Sequence, residues 1–167
     1  MQLTHYNSKF NQRKSPIALV CENVTNAANV GSLFRTADAF GIEKLIFCGS
    51  PIPLGRKMTK TSRSTEKYVD FEWCETAEVV LNKLKTLGYQ IIALEIASNS
   101  KSLSQMEFST IKPLVLLIGD ENFGVSEGCL ELSDHVVHID MFGQNSSMNV
   151  VQAAGIVLYE ITKQLMR

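Results

Sequence analysis

Asn29, Arg35, Glu121, Ser147 and Asn149 supply amides, a guanidinium, a carboxylate and a hydroxyl, and all five fall in three short polar segments. These read NAANVGSLFRTADAFG (26–41), GDENFGVSE (119–127) and MFGQNSSMNVVQAAG (141–155). Each segment lies beside an apolar run or a helical pattern, and polar groups held at element ends usually have a task. Asn29 and Gly31 stand near a helix start, where an amide can fix a loop and free backbone N–H groups can meet an anion. Arg35, further along that helix, can aim a guanidinium fork at a phosphate or hydroxyl, although its spacing alone favours an ordinary exposed helical residue. Gly119 permits close approach to the backbone, and Glu121 can orient a hydroxyl, an amide or Arg35, or stand as a loop acid. Ser147 or Asn149 can cap the helix that follows, which accounts for one of them and leaves the rest of the cluster unexplained.

Other chemistries find less support. The glycine spacing is not that of a dinucleotide fingerprint and no Walker lysine is present. Cys21, Cys48, Cys74 and Cys129 are scattered without paired spacing, so they read as core thiols, with no metal and no disulfide framework. His135 and His138 flank an apolar pair in a strand-like stretch and read as structural. The net charge is only −1, so a nucleic-acid partner would need a local basic patch. Arg56, Lys57, Lys60, Arg63 and Lys67 form one against the single acid Glu66, with Lys9, Arg13 and Lys14 as a smaller cluster; a solvated charged loop is the plain alternative. No apolar run approaches the ~20 residues of a membrane span, and the start lacks the apolar core of a signal peptide, which points to a cytoplasmic protein.

The periodicity predicts elements that could position these residues. Ile17 to Cys21 reads as a buried strand, followed by a helix from Ala28 that stops at Gly41, and Lys44 to Cys48 as a second strand. Thr76 to Leu87 reads as a helix ended by Gly88, Tyr89 to Ile96 as a strand, and LVLLIG after Pro113 as another. Val136 to Ile139 is a further strand, and Asn149 to Met166 a long C-terminal helix. Strands alternating with helices predict an α/β fold, a mostly parallel sheet with helices on both faces, in one domain of 167 residues with residues 1–14 as an N-terminal extension. Ligands of such sheets bind outside the carboxyl ends of the strands, where all three polar segments fall.

Together, NVGSLFRTADAFG, GDENFGVSE and MFGQNSSMNVVQAA resemble, in order and spacing, the three motifs of the SpoU/TrmH branch of the SPOUT RNA methyltransferases. The likeness runs from Ser15 to the C-terminus, is nearest to the tRNA guanosine-2′-O-methyltransferases, and extends to TKTSRSTEKYV (59–69). It implies a trefoil-knotted C-terminal half, which ordinary topology rules would not suggest. It also implies a homodimer in which the arginine of one subunit serves the cofactor of the other.

Carried over by residue, the resemblance makes Arg35, Asn29, Glu121, Ser147 and Asn149 the catalytic set and S-adenosylmethionine the cofactor. Leu117, Gly119, Ile139, Met141 and Met148 would line the adenine site, with Glu95 and Ile96 as another wall. The family usually has Leu at position 148 and Ser at 151; Met148 conserves volume and Val151 loses a hydroxyl. The implied reaction is in-line attack of a ribose 2′-hydroxyl on the sulfonium methyl. Guanidinium stays protonated, so Arg35 is read as a grip on phosphate and a stabiliser of developing oxyanion charge rather than as a base. Many relatives carry extra terminal segments for tRNA, and here RNA binding is expected to rest on the catalytic domain through Arg56 to Lys67. The alternatives are methylation of rRNA, or a non-catalytic RNA-binding module.

Overall fold

The structure, a computed structural model, describes residues 8, 10–111 and 113–166. Seven strands form one sheet: β1 (Ser15–Glu22), β2 (Ile42–Cys48), β3 (Phe71–Cys74), β4 (Gln90–Leu94), β5 (Lys101–Ser102), β6 (Leu114–Ile118) and β7 (His135–His138). Their order is β3-β2-β1-β6-β4-β7-β5, and every pairing is parallel. Five helices cover it: α1 (Ala27–Ala39), α2 (Arg56–Ser62), α3 (Ala77–Thr86), α4 (Glu127–Leu132) and α5 (Val150–Leu165).

The apolar runs become the central strands because both faces of the sheet are covered. In β1, Ile17, Leu19 and Cys21 enter the core beneath α1 and α5, while Ala18 and Val20 enter the one beneath α3 and α4. β6 divides likewise, Leu114, Leu116 and Ile118 to the first side and Val115 and Leu117 to the second. Each such side chain taken from water contributes about 1.5–3 kcal/mol before entropic costs. The four cysteines are free thiols. Burial pushes Cys48 and Cys129 each up to about 12, so they stay protonated and poorly nucleophilic at neutral pH.

Two parts of the fold depart from the sequence reading. The basic stretch read as a loop begins as the helix α2, anchored by Met58 and Ser62, which are both fully buried. Two inward residues in a charged run give too little periodicity to predict a helix. β3 and the segment around the two-residue β5 were not predicted at all; each is short, and β3 packs an edge through Phe71 and Trp73 against Phe34 and Phe47.

α2 docks on α1 through Gly31. A Cβ at Gly31 would run into Thr61 Oγ1 and the Met58 carbonyl, so the helices approach at backbone distance. Gly31→Ala should therefore lower unfolding free energy by about 1–3 kcal/mol, as overpacking does. Urea denaturation checks this, and an unchanged midpoint would show that the two helices can part freely.

Candidate functional site

All three polar segments reach the carboxyl ends of the strands. Asn26 caps α1, its Oδ1 accepting the N–H of Ala28 at 2.9 Å and of Asn29 at 3.4 Å. Asn29 therefore sits in the first turn of α1, with only 9% of its surface exposed. At the far end of the chain Asn149 caps α5, its Oδ1 accepting Val151 N–H at 3.0 Å. The Nδ2 of the same amide donates to Asn29 Oδ1 at 3.1 Å and to Glu121 Oε1 at 2.8 Å. One side chain thus joins the three segments, uses both of its donor hydrogens and its acceptor, and spans 120 residues of sequence.

The loop after β6 is fixed from both sides. Asp120 Oδ1 accepts the N–H groups of Asn122 at 2.9 Å and Phe123 at 2.7 Å, and Gly124 N–H donates to the Asp120 carbonyl. Glu95, just beyond β4, accepts Ile96 N–H on Oε1 at 2.8 Å and Val125 N–H on Oε2 at 2.9 Å. Gly124 has a left-handed φ of 68°, and a Cβ there would strike Glu95 Oε2; one at Gly119 would strike Gly124. Glu22, at the end of β1 and 5% exposed, accepts Ser126 N–H at 2.9 Å and the Cys129 thiol at 3.5 Å. The start of α4 is thereby pinned to the sheet.

Between these parts lies a cleft of about 330 Å³. Of the residues singled out from the sequence, Glu95, Ile96, Gly119, Glu121, Ile139, Met141, Ser147 and Met148 line it. Leu117 does not: it is fully buried in the sheet core towards α3 and α4, and its neighbour Ile118, on the opposite face of β6, forms the wall. This is the period-two alternation of a strand, which moves a side chain to the other face at each residue. Among the described residues, none of the backbone groups of 141–148 pairs with another backbone group. The cleft thus combines apolar walls, carboxylates and unengaged peptide donors and acceptors. A planar heteroaromatic with a polar edge, joined to a hydroxylated and charged tail, fits that donor set.

Arg35 is elsewhere. It lies on α1, about 9 Å along the helix from Asn29; it is exposed and does not line its own subunit's cleft. Arg56, Lys57, Lys60, Arg63 and Lys67 are all exposed on and after α2, with no ion pair among the described residues, while Glu66 accepts the Ser62 hydroxyl. Arg13 and Lys14 are exposed too, and Lys9 lies outside the described residues.

Sequence reasoning missed Glu22, Asp120 and His138. His138, read as structural, lines the cleft, bonds Ser100 Oγ through Nδ1 at 2.8 Å and faces Asp140 at 3.6 Å. Its partner Ser100 comes from the turn before β5, which carries no periodic signal. The Asn26 cap was missed as well, the sequence reading having placed Asn29 and Gly31 near the helix start instead.

Comparison with known proteins adds a family. The model of the SpoU rRNA Methylase family matches residues 16–159. The tRNA (guanosine(18)-2′-O)-methyltransferase of Aquifex aeolicus is 29% identical over 153 residues, covering 92% of this chain and 72% of the relative. A SpoU methyltransferase of Streptomyces viridochromogenes, solved in complex with the cofactor AdoMet, superposes with a TM-score of 0.78 at 25% identity, covering 90% of this chain and 60% of that one. A structure described for 2-OH methylation of C/U34 on tRNA superposes with a TM-score of 0.79 at 26% identity, over 91% of this chain and 99% of that one.

The Asn149 junction generates a test that needs no substrate. Asn149→Asp keeps the cap on Val151 but sets a carboxylate against Glu121, and should lower stability by about 1–3 kcal/mol. Adding Glu121→Gln restores a donor across the pair and should recover at least half of that loss. Strictly additive losses in the double variant would show that the bond contributes nothing.

Proposed function

This chain belongs to the SpoU rRNA Methylase family, and we propose that it transfers a methyl group from S-adenosylmethionine to a ribose 2′-hydroxyl of tRNA. The observation that carries the reading is the Asn149 junction, because it holds Asn29, Glu121 and the start of α5 together at the edge of a cleft whose lining suits the methyl donor. Bound there, S-adenosylmethionine supplies an electrophilic methyl on a sulfonium. Ile118, Ile139 and Met148 give the adenine an apolar slot, the free peptide groups of 141–148 meet its polar edge, and Glu95 stands where ribose hydroxyls can donate. Glu121 and Ser147, both on the cleft wall, would orient the tail and the incoming hydroxyl. The threaded C-terminal segment expected of the family belongs to the same reading, as does a place in the cytoplasm beside tRNA; no helix among the described residues is long and apolar enough to cross a membrane.

A second copy of the chain completes the site. Arg35 faces solvent away from its own cleft, while α5 beside it exposes Ile156 (43%) and Tyr159 (62%). Pairing α1 and α5 across a two-fold covers those apolar groups and delivers Arg35 to the partner's cleft, where its fork grips a target phosphate and stabilises charge developing on the ribose oxygen. The α2 cations hold the RNA backbone further out.

Incubation of the protein with labelled S-adenosylmethionine and bulk tRNA, with rRNA in parallel, tests the reaction: label at a ribose 2′-oxygen of tRNA is expected, and label in rRNA alone would move the substrate. Arg35→Lys keeps charge but loses the fork and should cut turnover at least about 10-fold, as loss of one oxyanion-stabilising group does. Full turnover would remove Arg35 from the chemistry. Mixing Arg35→Ala with Asn149→Ala subunits should restore activity that neither has alone, and failure to do so would exclude a shared site. Charge reversal at Lys57, Lys60 and Arg63 should weaken tRNA binding and flatten its salt dependence by about one unit of slope for each phosphate no longer neutralised. An unchanged salt slope would clear α2 of RNA binding.

A further inference from the structure

Phe123 and Phe142 are the most exposed large apolar residues of the described chain, at 92% and 97% of their surface. Both stand on cleft-forming loops: Phe123 on the turn after β6, where it lines the cleft mouth, and Phe142 directly after Met141, which lines it too. Neither packs against another ring among the described residues. A phenyl ring left in water gives up roughly 1.5–3 kcal/mol of burial, and neither loop needs one for its own fold.

The surroundings say what would cover them. Each ring adjoins a polar run, Asp120 to Asn122 before Phe123 and Gly143 to Asn145 after Phe142. A protein interface would show a contiguous apolar patch, as the Ile156 and Tyr159 face of α5 does. The acids Asp120 and Glu121 beside Phe123 disfavour phosphate, so a nucleic acid arriving there presents its bases and not its backbone. The Phe123 turn is preorganised by Asp120, with Glu95 fixing the residue after Gly124, so the backbone that carries the ring is set before anything binds.

We infer that Phe123 and Phe142 are base-stacking residues, each taking the face of an unpaired RNA nucleobase at the mouth of the cleft. This rests on the functional reading above and adds to it a mode of substrate recognition: a nucleotide unstacked from the RNA, its base held on aromatic rings while its ribose enters the site. Stacking on a phenyl ring is tolerant of base identity, so these residues set the requirement for an unstacked target and leave sequence choice to other contacts.

The test compares Phe123→Ala, Phe142→Ala and the matching Leu and Tyr variants with the wild type. The readouts are tRNA affinity at fixed salt, KM and kcat for tRNA, S-adenosylmethionine affinity by calorimetry, and sedimentation. The Ala variants should weaken tRNA binding on the order of 10-fold each, Tyr should restore it and Leu should not, with oligomeric state unchanged and any loss of donor affinity well below the loss of tRNA affinity. Leu equal to wild type would mean a merely apolar contact, and altered sedimentation would mean a contact between copies. A matching loss of donor affinity would make the ring a wall of the donor site. Unchanged tRNA binding would make it idle. Each of these overturns the inference while leaving the methyltransferase reading intact, whereas a wild type that neither binds nor methylates RNA overturns both.

Discussion

The carboxamide of Asn149 is the interaction on which the site depends. It donates to Asn29 and Glu121 and accepts from Val151, so the starts of two helices and the loop after β6 are tied to one planar group. No other side chain of that size offers two donors and an acceptor in fixed relation. A carboxylate would repel Glu121, and a hydroxyl could satisfy one partner and cap at most one helix. Because the partners are far apart in sequence, the bond forms only after the sheet has aligned β1, β6 and α5. The geometry of the cleft is thus a readout of the completed fold and not of any local segment.

Around that junction the charges are sorted by task. Glu22 and Glu95 both accept backbone N–H groups at the ends of loops, Glu22 in nearly full burial, and so brace them, while Glu95 keeps lone pairs on the cleft wall. Asp120 braces its own turn in the same way. Free cationic charge is instead gathered on α2, whose one nearby acid is occupied by Ser62. With a net charge of −1, the chain offers a polyanion no general attraction, so any attraction comes from local patches such as this one. The face that would meet RNA backbone and the cleft that would do chemistry are therefore separate surfaces, joined by the close docking of α2 on α1 at Gly31.

Much of this was legible before any coordinates. The central strands were readable because burial on both faces demands unbroken apolar runs, α1 because its apolar stripe stops at Gly41, and α5 because its stripe begins behind Asn149. The three polar segments were readable because residues unsuited to a core were crowded beside core elements. What escaped reading depended on partners distant in sequence. The face of β6 that lines the cleft, Ile118 rather than Leu117, is set by register against β1 and β4. The role of Glu22 is set by Ser126 and Cys129, and that of His138 by Ser100. α2 escaped because only Met58 and Ser62 face inward, and β3 because four residues are too few to show a period.

The third loop explains why such a site is built from the end of the chain. Among the described residues, 141–148 form no backbone pairs with one another or with the sheet, yet they run straight into α5, whose core side chains Ala154, Val157, Leu158 and Ile161 are fully buried. The helix fixes where the loop ends, and Asn149 fixes its direction. Its peptide groups are left for water or for a ligand. A loop of this kind is held at its terminus, and a ligand that enters the cleft meets peptide groups with no competing backbone partner. Phe142 rides on that loop and Phe123 on the turn braced by Asp120, so both rings are carried by segments that build the cleft.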